Sequence, residues 1–340
     1  MITGAAPDHD DLLVGADAST LMGSTLAELG PQLGLSVVRG RVVVMRTSTI
    51  DLRGPYSLEE VALMGFGHRD ERSFDGVMRL AFCVDTDLEQ QVGVELRQAG
   101  QQLELVVHDT PEAPADLAAV TRQVARIVSA DHDGAAYAEV CAGDPVLARV
   151  HAAAPGFRPS NFHSPYEAAI WSVLSARRQR RQAITLRQRL SERHGVAFEL
   201  AGEVVHALPT PATFARIDRI EGLQDAAVPR LHGIAEAATD GRLDLDRLTA
   251  LTPEEAMAEL QRLPGIGPFY GALVVVRACG LTDVLSTQEP HSRRVVQTLY
   301  GLDHEPDERE LAAIAEAWRP FRTWATVALR AVGSRLSSAA

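Results

Sequence analysis

Apolar residues in the first half of the chain fall into short runs, whereas in the second half they recur at helical spacing. VVRGRVVVMRTSTI (37–50) is rich in β-branched residues and predicts one or two strands. PYSLEEVALMGFG (55–67) opens with proline and early glutamates, both helix-start features. VMRLAFCVD (77–85), QVGVELRQ (91–98) and QLELVVHD (102–109) predict three further strands. The step through Ala99-Gly100 is short enough for a hairpin. An amphipathic helix is expected from about Pro114 to Ile127. That order of elements implies a small α+β domain with an antiparallel sheet.

From about Ala135 the pattern changes. YEAAIWSVLSA, AITLRQRLSERHG, TPEEAMAELQRL, GALVVVRACG and ELAAIAEAW each repeat apolar positions at helical spacing, with Gly and Pro between them. No strand-like alternation interrupts them, so an all-α domain is expected here. The expected organisation is an acidic, partly mobile tail over residues 1–36, the α+β N-terminal domain over 37–134 and the all-α domain over 135–335.

Charge sharpens this division. The net charge of −12 lies in the first half: residues 1–150 hold 11 arginines against 23 acidic residues, and residues 151–340 hold 22 of each. Such acidity argues against a nonspecific DNA coat, because phosphate neutralisation needs a cationic face. A local face remains available, because Arg177, Arg178, Arg180, Arg181, Arg187, Arg189 and Arg193 meet only Glu192 within their stretch. A run of this kind, taken alone, also fits a solvated helix face. No apolar run has the length of a membrane span, and Asp8, Asp10 and Asp11 stand where a signal peptide is basic. A cytoplasmic, monomeric protein is expected. Cys83, Cys141 and Cys279 match no metal or disulfide spacing. Not one of the 33 basic residues is a lysine.

QRLPGIGPFYGALVVVRACG (261–280) is the most specific feature. One helix is expected to end near Leu263, a tight turn to follow at Pro264-Gly265-Ile266-Gly267, and the next helix to begin at Pro268. Glycine there permits positive φ, and exposed N–H groups at the new helix start can bind an anion. Such a hairpin docks on a DNA phosphate without reading sequence; the plain alternative is an ordinary glycine-capped corner.

The chain then reads GLTDVLSTQEPHSRRV (280–295). LPGIGP, some twenty residues, then an acid followed by HxxR resembles the helix-hairpin-helix (HhH-GPD) DNA glycosylase superfamily. LRGPYSLEEVALMGFGHRD, HSPYEAAIWSVLSARRQRRQAITLRQRL, GRLDLDRLTALTPEEAMAELQRLPGIG and AWRPFRTWATVALR extend the likeness to the 3-methyladenine-DNA glycosylase II branch, from about Arg46 to Arg330.

The resemblance implies a role for each matching position. Gly265, Ile266 and Gly267 fall on the hairpin that binds backbone phosphate, where a monovalent cation is often held by backbone at Leu263 and Gly265. Asp283 falls on the loop acid, and Glu289 on the catalytic aspartate, one methylene longer than the family residue. His291 and Arg294 match the helix after it, with Arg294 toward the DNA backbone. Ser175-Ala176 replaces the usual Gly-Gln, which puts Arg177 near the residue that wedges into the duplex, with Arg178 beside it. Phe269 stands where bifunctional relatives carry a Schiff-base lysine. Phe269, Tyr270, Trp171, Tyr166 and Trp324 are candidates for a pocket around a flipped base; core packing is the competing role for each. No cofactor is expected.

The chemistry implied is hydrolysis of the N-glycosidic bond of an alkylated, 3-methyladenine-like base in double-stranded DNA. Bond breaking builds positive charge on the sugar, which a carboxylate stabilises, and an alkylated purine leaves readily. The expected protein is a monofunctional base-excision enzyme associated with the nucleoid. The alternative is a helix-hairpin-helix protein that recognises damaged or distorted duplex without cutting the bond.

Overall fold

A computed structural model describes residues 35–38, 41–67, 73–109, 114–285 and 290–337. The expected tail over 1–36 therefore lies outside the described residues up to residue 34, and the first strand begins at Leu35.

The N-terminal part is built on a five-stranded antiparallel sheet of order β1-β2-β5-β4-β3. Its strands are β1 (Leu35–Val38), β2 (Arg41–Asp51), β3 (Met78–Val84), β4 (Asp87–Ala99) and β5 (Gln102–Asp109). The register pairs Ile50 with Leu103 and Leu96 with Leu105, so apolar residues align across the sheet. Gly100, at φ +61°, makes the tight turn between β4 and β5. Helix α1 (Leu58–Leu63) is capped by the Ser57 hydroxyl, and α2 (Leu117–Ile127) by Asp116. Val120 and Val124 of α2 join Leu80, Val94 and Leu105 in one buried cluster.

The rest is mainly helical: α3 (Gly134–Ala142), α4 (Pro145–Ala153), α5 (Pro165–Ser175), α6 (Arg180–His194), α7 (Pro211–Phe214), α8 (Val228–Thr239), α9 (Leu245–Thr249), α10 (Pro253–Leu260), α11 (Pro268–Ala278), α12 (Pro290–Tyr300), α13 (Glu308–Ala315) and α14 (Arg322–Ser337). The sequence pattern predicts no strand here. The structure inserts a two-stranded hairpin, β6 (Ala197–Leu200) and β7 (Glu203–His206), turning at Ala201 and Gly202 with φ +44° and +81°. Its sheet-facing residues explain it: Phe198 and Leu200 are buried with Ala81 of β3, so tertiary packing stabilises a pair too short to stand alone.

Three buried arginines join the two parts. Arg126 of α2 donates to the carbonyls of Phe162, His163 and Ala278 and pairs with Asp85. Arg158 donates to the carbonyls of Arg53, Pro55, Ser129 and His132. Arg277 of α11 donates to the Ser160 carbonyl and lies 3.6 Å over the Phe66 ring. Each directs guanidinium donors to buried backbone carbonyls, and this fixes the segment 158–163 between the sheet and α11.

Candidate nucleic-acid interface and active site

The turn between α10 and α11 is dictated by its residues. α10 begins with a capping box at Thr252 and Glu255, and Ile266 N–H donates to the Leu263 carbonyl at 3.1 Å inside the turn. Gly265 has φ +96°. The conformation favours glycine; a Cβ there would stand 3.0 Å from Cδ of the flexible Arg230 side chain and 3.5 Å from Val173 Cγ2, a tight fit that Arg230 can relieve by moving slightly. Gly267 differs: it is an extended N-cap, and a Cβ on it would meet nothing within 4 Å. Ile266 is buried and pins the turn to the core that holds Val173. No side chain caps α11, so its first amides face outward beside Gly267.

Cationic and aromatic groups surround this turn. Arg230 and Arg262 are exposed beside it, and Phe269 is 58% exposed at the head of α11. Phe269 packs edge-on to Tyr270 at 5.2 Å, and Tyr270 Oη lies 3.2 Å from Ser175 Oγ at the end of α5. Arg177, just beyond, is exposed and held at φ +56°, a conformation costly for a side chain with a Cβ. Arg178 folds back and donates to the Leu174 carbonyl at 3.2 Å, closing the end of α5. Arg294 is exposed on α12, as is His291. Arg230 was not among the residues expected here; it lies 35 positions before Gly265 in sequence and arrives because α8 packs against the hairpin.

Glu289 lies outside the described residues, as do residues 286–288. The loop that leads to them is firmly held. Asp283 Oδ1 accepts from Arg322 Nε at 2.7 Å, and Oδ2 accepts from Arg319 Nη1 at 2.8 Å and Arg322 Nη2 at 3.1 Å. Burial opposes ionisation of this carboxyl, but Arg322 and Arg319 outweigh it and hold it below the usual carboxylate range. Thr323 N–H donates to the Thr282 carbonyl at 2.8 Å, and its hydroxyl bridges both polar groups of Val284. The residues on either side of Asp283 are thus tied to the start of α14.

The five aromatics do not come together. Phe269 and Tyr270 meet at the hairpin. Trp171 and Tyr166 are buried in the core beneath it, and Tyr166 Oη donates to the Pro209 carbonyl at 2.9 Å. Trp324 belongs to a different cluster, 5.2 Å from Tyr137 and 5.1 Å from Phe321. For Tyr166 and Trp324, both under 3% exposed, the structure favours packing over a pocket wall. Among the described residues, no three His, Cys, Asp or Glu side chains group as metal ligands, and no helix is long and apolar enough to cross a membrane.

An α+β unit joined to a helical unit with an exposed helix-hairpin-helix defines a class of fold, and known proteins share it. No protein-family model matches the chain. It is 28% identical over 217 residues to a Mycobacterium tuberculosis protein named probable bifunctional transcriptional activator/DNA repair enzyme AlkA, an alignment covering 62% of this chain and 42% of that one. It is 22% identical over 201 residues to a DNA-3-methyladenine glycosylase of Bacillus subtilis, covering 58% of this chain and 66% of the relative. The chain thus spans less than half the length of the mycobacterial relative. In three dimensions it resembles a 3-methyladenine DNA-glycosylase from Archaeoglobus fulgidus, with a TM-score of 0.68 at 21% identity over 85% of this chain and 99% of that one. In sequence it is similar to these DNA repair proteins, and in fold to helix-hairpin-helix DNA glycosylases.

Proposed function

We propose that the chain is a monofunctional DNA glycosylase that hydrolyses the N-glycosidic bond of alkylated, 3-methyladenine-like bases in duplex DNA. The observation that carries this reading is the uncapped head of α11 at Gly267, open to solvent and flanked by Arg230, Arg262 and Phe269. A duplex phosphate would sit on these amides, with Gly265, Ile266 and Gly267 giving backbone contact. The second lone pair of the Leu263 carbonyl, with that of Gly265, would serve a monovalent cation. Arg177, Arg178 and Arg294 would contact the duplex around this point, and Arg177, exposed and at positive φ, would be the group to enter the stack.

Glu289 would supply the carboxylate facing the sugar as positive charge develops. Asp283, held by Arg319 and Arg322, would fix the start of the loop that carries it. A flipped base would rest on Phe269 and Tyr270, whose faces suit an electron-poor ring; Trp171 lies beneath them. Such a protein would work on chromosomal DNA at the nucleoid.

The test is release of free 3-methyladenine from methylated DNA. Glu289→Gln should abolish release and leave duplex affinity unchanged, because it removes charge and keeps shape. Glu289→Asp, which restores the family's shorter side chain, should raise it. Duplex binding with no release from the unaltered chain would favour the alternative, a protein that recognises distorted duplex without cutting.

A further inference from the structure

The turn that follows α5 has an uncommon backbone for the residue it carries. Arg178 N–H donates to the Ser175 carbonyl at 3.1 Å, closing residues 175–178 into a turn. Ala176 at φ −55°, ψ 122° and Arg177 at φ +56° follow the type II pattern, whose third position ordinarily takes glycine. A residue with a Cβ stays at positive φ where its surroundings hold it there. Ser129 and Ala201 share the feature, but Ser129 is buried with its hydroxyl on the Pro159 carbonyl, and Ala201 turns the β6–β7 hairpin. Arg177 instead presents an exposed cation.

Two anchors hold this turn. Arg178 fixes its far end to the Leu174 carbonyl, within α5 itself. The near end is held from outside, by Tyr270 of α11, whose Oη lies 3.2 Å from Ser175 Oγ. Ser172, earlier on α5, donates to the Ala168 carbonyl at 2.9 Å, the ordinary arrangement for a helical hydroxyl. Ser175 reaches across to the neighbouring helix. Tyr270 in turn packs edge-on to Phe269 at 5.2 Å, in the first turn of α11. One hydroxyl pair therefore joins the turn that bears Arg177 to the helix whose head is open beside Gly267.

We propose that the Ser175–Tyr270 hydroxyl pair is a positioning device that sets Arg177 against α11, coupling its entry into a duplex to the docking of phosphate on the head of that helix. This rests on the reading of the hairpin as the DNA interface. Neither hydroxyl touches the reacting atoms; both act through Arg177. A group that fills the gap left by an extruded base has to stand in register with that gap. Without Tyr270 Oη, the turn keeps its internal hydrogen bonds and loses its tie to the hairpin.

The experiment mixes the full chain with a duplex carrying 2-aminopurine beside an abasic analogue, since the fluorescence of that base rises when its stack opens. The unaltered chain should bind this duplex and open it. Tyr270→Phe, which removes one oxygen and keeps the ring, should lower the equilibrium constant for opening by roughly threefold to tenfold, the effect of one neutral hydrogen bond. Ser175→Ala should do the same, and the two changes together no more than either alone. On an Arg177→Ala background, Tyr270→Phe should change nothing, which a merely structural role for the hydroxyl would not give. Urea unfolding of each variant confirms that the fold is kept. Equal opening by Tyr270→Phe and the unaltered chain overturns the inference, as does an undiminished loss on the Arg177→Ala background. In either case the hairpin reading stands, because the duplex is still bound and opened. A duplex bound but never opened by the unaltered chain also overturns the inference. A duplex left unbound overturns the hairpin reading, and this inference with it.

Discussion

Arg322 places Nε 2.7 Å from Asp283 Oδ1 and Nη2 2.8 Å from the Asp283 carbonyl, so one side chain grips both the acid and the backbone of the loop after α11. Residues 39 positions apart are joined in this way, and the loop's direction is set before it reaches Glu289. A change at Asp283 should act on geometry before it acts on affinity.

Asp283→Asn keeps the shape and removes the charge that Arg319 and Arg322 share. Three charge-assisted hydrogen bonds weaken at partly buried positions, so stability should fall by roughly 1–3 kcal/mol. Base release should fall further than that loss alone explains, through kcat rather than KM, because an error of about 1 Å at the reacting group costs about a hundredfold. Single-turnover kinetics alongside urea unfolding separates the two effects. Unaltered kcat at reduced stability would leave the clasp a purely structural device.

The two hairpin glycines should separate fold from binding. Gly265→Ala forces a side chain into positive φ against Arg230, at a cost of about 1–2 kcal/mol. Gly267→Ala has a permitted backbone and open space, so stability should stay within about 0.5 kcal/mol. Its methyl would nevertheless stand where a phosphate must approach, and affinity should drop alike for any duplex sequence. Unchanged affinity in Gly267→Ala would place the duplex elsewhere.

The cationic surface predicts a salt response. Reversing Arg177, Arg181, Arg230 and Arg262 to glutamate should flatten the plot of log affinity against log salt, with a slope reduction of about 0.9 for each phosphate that is no longer neutralised. Arg230 of α8 and Arg262 flank the hairpin, whereas the sequence reading offered the Arg177–Arg193 run and Arg294. A slope that does not change would return these arginines to the solvated-face reading.

Glu167 offers a test of the core beneath the interface. It is buried, with Oε2 3.1 Å from His163 Nδ1 and 3.1 Å from Arg187 Nη2. Burial pushes its carboxyl up, but His163 and Arg187 outweigh that and bring it from 4.5 down to about 2. A carboxyl with a depressed folded value contributes stability that is fully present above about pH 4.5 and lost as pH falls toward 2. Glu167→Gln should cost about 3–5 kcal/mol at neutral pH by leaving Arg187 buried without its partner. It should also lose less stability than the unaltered chain between pH 4.5 and 2, as read by chemical unfolding.

The hairpin was legible in sequence because Gly265, Gly267 and Pro268 impose local backbone geometry, and local geometry needs no tertiary knowledge. The strands after Val77 were legible for a similar reason: β-branched and apolar runs end at Gly100. Arg230 was not, since nothing near it says that α8 will lie on Gly265. The sequence left core packing and a pocket role both open for the aromatics, for a related reason. Tyr166 and Trp324 carry the same chemistry as Phe269, and only the packing distinguishes a ring sealed under Pro209 or Tyr137 from one that is 58% exposed. The β6–β7 hairpin went unread because Phe198 and Leu200 gain their stability from Ala81 on a distant strand.

The absence of lysine supports a prediction that depends on no distance. A glycosylase that also nicks DNA attacks the sugar with an amine, forms a Schiff base and eliminates the strand, and lysine is the usual side-chain amine. On the proposed reading, Phe269 at the head of α11 would take the place of that lysine, and no residue of the chain supplies an ammonium side chain. Arginine does not substitute, since its guanidinium stays protonated and is no nucleophile at neutral pH. Any product should therefore be an intact abasic site, broken only by alkali or by a separate endonuclease. Borohydride trapping on lesion-bearing duplex should give no covalent adduct, and Phe269→Lys should be the variant in which one first emerges, because that side chain enters beside Gly267 where the sugar would lie. A trapped adduct with the unaltered chain would overturn the monofunctional reading and assign the chemistry to its terminal amine.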